Sequence, residues 1–394
     1  MDAPVGTLRS LPPCPLAAPV FLSLSQSHAF GPPKPLFHVP QALNHHPDAA
    51  VKRQAEEWLK QFQESAEAWT VCDSLLHDPG STAEVNFLCS QTLKHKVQRD
   101  FDDLPPGAAG SLRDSLLALL LKFEEGPTRT QLTLAVASLA AHLPAAEWSG
   151  VGALQWLADK LTGANVGATA LPCLLELLTV FPQEAGSYRP AVRPDRRRAF
   201  ARELIVSSQS AIQVISSCVQ HMPEVIPERN NHMRERVLDA YASWVRLSQG
   251  RLTADDPAVE PPQIDAGTLA AHPLTLLALE SLEMHETNEA EFDHAVDAVC
   301  ELVRATVGDG AAEAGDGGSA SAAQGGIPPS SMPLVQLLVP RVMALRHVLA
   351  KAATAHGADD DVAKGIARLF AEVGEAYVNF IATVGHIFSV VNLD

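Results

Sequence analysis

Apolar residues recur at helical spacing along most of this chain, and that periodicity is the feature that most limits its fold. From about residue 48, apolar side chains fall at i, i+4, i+7 and i+8, which places them on one face of an α-helix. The stripes include Leu112, Leu116, Leu119, Leu120 and Phe123; Leu132, Val136, Leu139 and Leu143; Ile205, Ile212, Ile215 and Val219; Val237, Tyr241 and Trp244; Phe292, Val296, Val299 and Val303; and Val362, Ile366, Leu369 and Val373. Strand-like alternation is missing, so the pattern predicts an all-α chain.

Turn sequences cut these stripes into helices of ordinary length. Because proline and glycine interrupt helices, we expect breaks at Asp78-Pro79-Gly80, Leu104-Pro105-Pro106-Gly107, Gly126-Pro127, His142-Leu143-Pro144 and Phe181-Pro182. The resulting helix pairs begin near residues 66, 111, 147 and 191. A spacing of about 40 residues is typical of HEAT-like repeats.

One helix pair cannot bury its own apolar face, so consecutive pairs must stack into a solenoid. The sequence therefore predicts a HEAT-like α-solenoid, a right-handed superhelix of about seven antiparallel helix pairs whose B helices line the concave face. We expect Trp58, Leu116, Leu139 and Leu174 in its core. Aromatic residues make up only 5% of the chain, which also favours helices packed by aliphatic side chains.

Composition divides the chain into three segments. Residues 1–40 hold 9 of the 29 prolines and are predicted to be a disordered leader. A transit peptide is the alternative, although only Arg9 and Lys34 carry positive charge there. Residues 41–250 form the first repeats, and residues 251–394 continue them around an insert at 308–330. Within it, residues 308–326 contain 7 of the 24 glycines and no large apolar side chain, so we expect disorder.

Charge and hydropathy exclude several classes of protein. The chain has 46 acidic and 29 basic residues, which gives a net charge of −17. This charge argues against direct nucleic-acid binding and suits neutral or basic partners. No apolar run is long enough to cross a bilayer. The best candidate, residues 376–393, carries Asn379, Thr383 and His386 on one helical face, which predicts a packed amphipathic helix rather than membrane insertion.

No motif for catalysis, cofactor or metal binding is found. Phosphate-loop, nucleophile-elbow and HExxH sequences are missing, so we expect no enzyme and no cofactor. The six cysteines form no CxxC and are predicted to be buried thiols. His45 and His46 are taken as incidental surface residues. Arg193 and residues 196–198 are predicted to be the solvated start of a helix near Ala199, or else a contact for phosphate or an acidic partner.

Several stretches resemble a known family. AWTVCDSLL, FLCSQTLKHKVQRDFDDLP, SLRDSLLALLLKF, TQLTLAVASLAAHLP and LPCLLELLTVFPQE are similar to the N-terminal part of importin-beta-type karyopherins, in the transportin-SR and importin-thirteen branch. The most specific pieces are SLRDSLL at residues 111–117 and SQTLK at residues 90–94. The resemblance is good over about residues 41–250 and is carried further mainly by the helix pattern.

The resemblance implies a nuclear transport receptor. Its N-terminal repeats would bind the GTP form of the small GTPase Ran, and the receptor would carry protein cargo from cytoplasm to nucleus without catalysis of its own. Serine/arginine-rich proteins are candidate cargo in this branch, and nucleoporins are further implied partners. Such a receptor shuttles between cytoplasm and nucleus.

Two departures from the family pattern bear on this reading. Residues 48–59 match a family segment with Ala49 in place of a proline, but the preceding PPKPLFHVPQAL is broken by prolines, so the first repeat looks incomplete. The chain also stops at Asp394 and lacks the C-terminal arch with the arginine-rich cargo helix. We therefore expect a receptor fragment or an incomplete gene model.

Helical geometry offers candidates for the Ran contact. On a helix predicted from about Ala83 to Phe101, an apolar stripe carries Val85, Cys89, Leu93 and Val97, and a separate polar stripe carries Gln91, Lys94 and Gln98. On a helix predicted from about Ala168 to Pro182, the matching residues are Glu176 and, just past its end, Gln183. For each residue a solvated face is the alternative. For the function of the whole chain, the alternatives are a HEAT-type scaffold without GTPase binding and a fragment that has lost its function.

The glycine-rich insert gives the first prediction. Limited proteolysis of the whole chain should cut within residues 308–326 first, because ordering each residue costs about 1–2 kcal/mol and this composition buries no apolar area in return. Protection of that segment, with early cuts inside residues 111–143, would contradict the predicted layout.

Overall fold

A computed structural model gives the structure of the chain. It describes residues 46–391 with gaps at 106, 163–169, 222–231, 251–262, 308–326 and 355–360, and it describes no side chains at 352–354 or 378–391. The predicted leader and residues 308–326 of the predicted insert lie outside the described residues. Residues 327 and 328 are described and lead into the short 3₁₀ helix Pro329–Ser331.

All regular elements in the described residues are helices. The α-helices are α1 Ala49–Glu64, α2 Glu67–His77, α3 Ala83–Arg99, α4 Ala108–Lys122, α5 Pro127–His142, α6 Ala153–Leu161, α7 Leu171–Ala185, α8 Pro194–Val206, α9 Ser208–His221, α10 Met233–Ser248, α11 Ala266–Ala271, α12 Pro273–Ser281, α13 Glu289–Thr306, α14 Met332–Ala344, α15 Arg346–Thr354 and α16 Asp361–Val391. Short 3₁₀ helices lie at Phe101–Asp103, Ala145–Trp148, Leu282–Glu286 and Pro329–Ser331.

Local sequence explains where the first helices begin. The Asp48 carboxylate accepts a hydrogen bond from the backbone N–H of Ala50 at 2.8 Å and so caps α1. Thr82 caps α3 in the same way through Val85. Before α4 the chain turns through Gly107 at φ 83°, a left-handed conformation that glycine adopts without strain. Pro127 begins α5, at a position where its missing N–H has no helical partner in any case.

The chain divides into two compact units, and the first comprises the residues up to Leu143 together with Tyr188–Val192. In this unit α3 packs against α1, α2 and α5, while α4 packs against α2 and α5. Helices α1, α3 and α5 therefore form one row, and α2 and α4 form the layer beside it. The predicted core residues Trp58, Leu116 and Leu139 are all buried, which confirms that part of the prediction.

The second unit comprises Pro144–Ser187 and the chain from Arg193 onward. Its row is α7, α10, α13 and α16, each helix packed against the next, with α9 on α10 and α12 on α13 in the flanking layer. Leu174 is buried as predicted. The Trp244 indole N–H of α10 donates to the Leu178 carbonyl of α7 at 2.7 Å, which joins two members of the row. Each unit is thus a stack of HEAT-like helix pairs.

Charged side chains also join the later members of this row. Arg246 of α10 contacts Glu301 of α13 at 2.6 Å, and Glu301 contacts Arg304 at 2.8 Å. Arg304 in turn contacts Glu372 of α16 at 2.7 Å. These residues form a continuous chain of ion pairs across three neighbouring helices.

Several helix boundaries differ from the prediction. Pro182 lies inside α7, which continues to Ala185, and Gln183 therefore lies within the helix instead of beyond it. Helix α8 starts at Pro194, well before Ala199, because proline at the first position suits a helix start. Arg196 pairs with Glu203 of the same helix at 2.7 Å.

The predicted stripe from Ile205 to Val219 is split between two helices. Helix α8 ends at Val206 and α9 starts at Ser208. The hydroxyl groups of Ser207 and Ser208 donate to the carbonyls of Glu203 and Leu204, and such hydrogen bonds compete with those of a continuing helix. The apolar side chains keep their spacing across the break, so periodicity alone did not reveal it.

One stretch, Pro329–Lys351, is long and apolar enough by length and composition to cross a bilayer. The expectation that no apolar run reaches this length was wrong for this stretch. Core helices of folded domains share this length and composition. The stretch also divides at Leu345 into α14 and α15, and α14 packs against α11, α13 and α16.

The cysteines of the described residues are free and buried, as the sequence predicts; they are Cys72, Cys89, Cys173, Cys218 and Cys300. A hydrogen bond with Cys89 and burial both raise the pKa of the Cys72 thiol. Burial raises the pKa of Cys218 to about 12. The Cys72 and Cys218 thiols therefore stay protonated at neutral pH, which fits a packing role.

The core assignment gives a second prediction. Leu139→Ala should lower the free energy of unfolding by roughly 2–5 kcal/mol, because the side chain is fully buried in α5 and leaves a cavity. Leu276→Ala is the matched control, since that leucine is 46% exposed. Urea denaturation followed by circular dichroism measures both. Equal losses for the two variants would show that the apolar faces are assigned wrongly.

Candidate partner-binding surface on helix α3

Helix α3 is the central member of the first unit's row, and its apolar stripe holds it in place. Val85, Cys89, Leu93 and Val97 are all buried, as the spacing predicts. The helix ends at Arg99, slightly before the predicted end at Phe101, because residues 101–103 form a separate 3₁₀ helix. This packing fixes which residues α3 turns toward α5 and which toward solvent.

The polar stripe lies along the side of α3 that meets α5. The Lys94 ammonium donates to the Gln131 side-chain oxygen at 2.7 Å, and the Gln98 amide donates to the Ser138 hydroxyl at 3.2 Å. Gln98 is only 6% exposed, so the solvated-face alternative does not hold for it. Gln91 and Lys94 are half-buried and keep part of their surface in solvent.

Lys96 is a residue that sequence reasoning missed. Its side chain is only 3% exposed, and the ammonium contacts the Asp100 carboxylate at 2.8 Å. It also donates to the Gln63 carbonyl of α1 at 3.1 Å and lies 5.4 Å from the ring centre of Trp69 in α2. Lys96 therefore links three helices. The Lys–Asp spacing of i, i+4 was the available sequence signal.

The exposed C-terminal end of α3 carries charges of both signs, since Asp100, Asp102 and Asp103 follow Lys94 and Arg99. Burial lowers the pKa of His95, and the neighbouring charges of Lys94 and Arg99 lower it further. His95 is therefore neutral at pH 7, and Lys94 and Arg99 carry the positive charge. A partner that meets this end of the helix therefore meets the cations of α3 together with the carboxylates of Asp102 and Asp103.

The remaining candidates lie on α7 in the second unit. Glu176 is half-buried, and Gln183 is exposed in the last turns of the helix. They are seven residues apart, so both lie on one face of α7. The structure thus groups Gln91, Lys94 and Gln98 on one helix and Glu176 with Gln183 on another.

Comparisons with known proteins agree with this architecture. Residues 55–122 match the importin-beta N-terminal domain, and residues 125–299 match the family described as exportin 1-like protein. Transportin MOS14 of Arabidopsis thaliana is 41% identical over 344 residues, which cover 87% of this chain and 31% of the relative.

Two further relatives are more distant. The mRNA transport regulator MTR10 of Saccharomyces cerevisiae is 26% identical over 83% of this chain and 30% of its own length. Importin-13 of Homo sapiens is 28% identical over 52% of this chain and 21% of its own length. The chain spans less than a third of the length of these curated relatives.

Stacked HEAT-like helix pairs that begin with an importin-beta N-terminal domain define the helical-repeat class of nuclear transport receptors. The chain belongs to the importin-beta superfamily of karyopherins, in the branch that contains transportin and importin-13. The resemblance drawn from SQTLK and SLRDSLL is confirmed. The relatives' names describe transport proteins, not enzymes.

The buried lysine gives a third prediction. Lys96→Met should destabilise the chain by about 2 kcal/mol or more, because the Gln63 carbonyl loses its donor and Asp100 loses its ion partner. Lys60→Met on the exposed face of α1 is the control and should change stability by less than about 0.5 kcal/mol. Thermal unfolding measures both, and identical midpoints would show that Lys96 does not stabilise the row.

Proposed function

We propose that this chain is the N-terminal part of a nuclear transport receptor that binds the GTP form of Ran and carries protein cargo into the nucleus. The match of residues 55–122 to the importin-beta N-terminal domain is the observation that carries this proposal. Those residues form most of α1 and all of α2, α3 and α4, which are four of the five α-helices that the structure describes in the first unit.

The row containing α3 and α5 supplies the proposed contact with Ran. Gln91 and Lys94 retain solvent-exposed surface and would contact the GTPase directly. Gln98 is buried against Ser138, so its role would be to hold α3 and α5 in register beneath that contact. Glu176 and Gln183, on one face of α7, stay candidate Ran contacts in their own right.

The remaining partners follow from the same proposal. A chain of net charge −17 attracts basic proteins, which suits basic cargo such as serine/arginine-rich proteins. Contacts with nucleoporins and shuttling between cytoplasm and nucleus would complete the transport cycle. The receptor itself would catalyse no reaction, and cargo release would follow the binding of Ran.

Nucleotide-dependent binding gives a fourth prediction. The whole chain, titrated with purified Ran at fixed salt, should bind the GTP form and discriminate against the GDP form. Lys94→Glu combined with Gln91→Ala should weaken the GTP-form complex about tenfold or more, because it reverses the charge at the proposed contact. Helicity should not change, since neither side chain lies on the apolar stripe.

Helix α6 offers a matched control. Gln155→Ala combined with Lys160→Glu makes the same chemical change on exposed residues of α6, which is not part of the second unit's row of α7, α10, α13 and α16. This variant should bind like the unaltered chain. Equal binding of both nucleotide forms would contradict receptor function and support a scaffold without GTPase binding. If only the GTP form binds but the Lys94→Glu, Gln91→Ala variant binds it as tightly as the unaltered chain, only the choice of α3 as the contact face is wrong.

A further inference from the structure

The segment Tyr188–Val192 belongs to the first unit, although the chain on both sides of it belongs to the second. We call these five residues the strap. The backbone N–H of Ala191 donates to the backbone carbonyl of Gln98 at 2.6 Å. The last carbonyls of a helix have no partner within the helix, and α3 ends one residue later at Arg99. The strap therefore caps the C-terminal end of α3.

The strap presents an aromatic side chain to solvent while its backbone is held. Pro190 is buried, but Tyr188 is 87% exposed, the largest exposed fraction among the large apolar side chains of the described residues. Tyr241 and Tyr377, the other two tyrosines, are buried in the second unit. Arg189 beside Tyr188 is also exposed. Tyrosine and arginine are the residue types most often found at the energetic centres of protein interfaces.

The strap lies close to the proposed Ran contact. Gln98, which binds the strap, is one helical turn from Lys94, or about 6 Å along the axis. Tyr188 is three residues from Ala191, so it lies within about 10 Å of that anchor. A protein interface of ordinary size covers about 800 Å² on each partner, a patch roughly 30 Å across. An interface of that size that includes Lys94 can therefore extend to Tyr188.

The polar stripe by itself offers too little exposed side-chain surface for a stable complex. Gln98 is buried, and Gln91 and Lys94 are only half-exposed. One turn before Gln91, Phe87 lies on the same face of α3 and is 37% exposed. Phe87 at one end and the strap at the other would give the polar stripe apolar anchors on both sides. Stable interfaces commonly combine such anchors with polar contacts.

We propose that the strap is part of the surface that binds GTP-form Ran, with Tyr188 as its aromatic anchor. The inference rests on the proposed function and extends it from α3 to a segment outside the helix pairs. The rigid backbone lowers the conformational entropy lost on binding, because the strap is already held by the cap on α3. Arg189 adds an exposed positive charge to the strap itself.

The test compares Tyr188→Ala with Tyr188→Phe in the whole chain, titrated with GTP-form Ran. Tyr188→Ala should weaken binding about tenfold, since truncation of an anchor residue has an effect of this order. Tyr188→Phe keeps the ring and should bind within about threefold of the unaltered chain. Both variants should melt at the same temperature as that chain, because the side chain is exposed.

Val206→Ala is the matched control, since Val206 is an exposed apolar residue on α8, and it should leave the affinity unchanged. If Tyr188→Ala binds like the unaltered chain while the Gln91/Lys94 variant binds more weakly, the strap inference is wrong and the proposed function stands. If the unaltered chain binds both nucleotide forms equally, the proposed function fails and the strap inference fails with it.

Discussion

Packing of each row helix against the next is the constraint on which the rest of this structure depends. A single helix pair leaves apolar area on its flanks, and only a neighbouring pair can cover it. In the first unit α3 has α1 on one side and α5 on the other, and all three helices carry buried apolar side chains. The surface that the row offers to a partner is therefore set by how these helices are aligned.

Polar contacts fix that alignment more closely than apolar packing can. Hydrogen bonds and ion pairs are directional, whereas burial of apolar area is not. The hydrogen bonds of Lys96 and Gln98 join α3 to α1 and to α5. The ion pairs from Arg246 to Glu372 join α10, α13 and α16 in the same way. Because low-dielectric surroundings make an unpaired group costly, a shift of register would be penalised at each of these points.

The sequence was sufficient to predict the helical class, the repeat spacing and most of the core. The stripes through Leu116, Leu139 and Phe292 are buried as their periodicity indicates, except for half-buried Phe123 just beyond the end of α4. Helix ends were predicted less well, because Pro182 lies inside a helix and Ser207 separates two helices without any proline or glycine. At Ser207 the break follows local hydrogen bonds of serine hydroxyls, which apolar periodicity does not show.

The candidate site was only partly accessible from sequence. Helical spacing correctly grouped Gln91, Lys94 and Gln98 on one face. It did not reveal that this face meets α5, because contacts between helices depend on how pairs stack. The strap was missed for the same reason, since its anchor on Gln98 lies about 90 residues away along the chain.

Hydrogen–deuterium exchange of the whole chain, alone and with Ran in each nucleotide form, tests the central claim most directly. The account predicts that GTP-form Ran slows exchange in peptides covering α3 and the strap, while α6 and the GDP-form sample show no change. Slower exchange confined to the second unit, or equal effects of the two nucleotide forms, would contradict it.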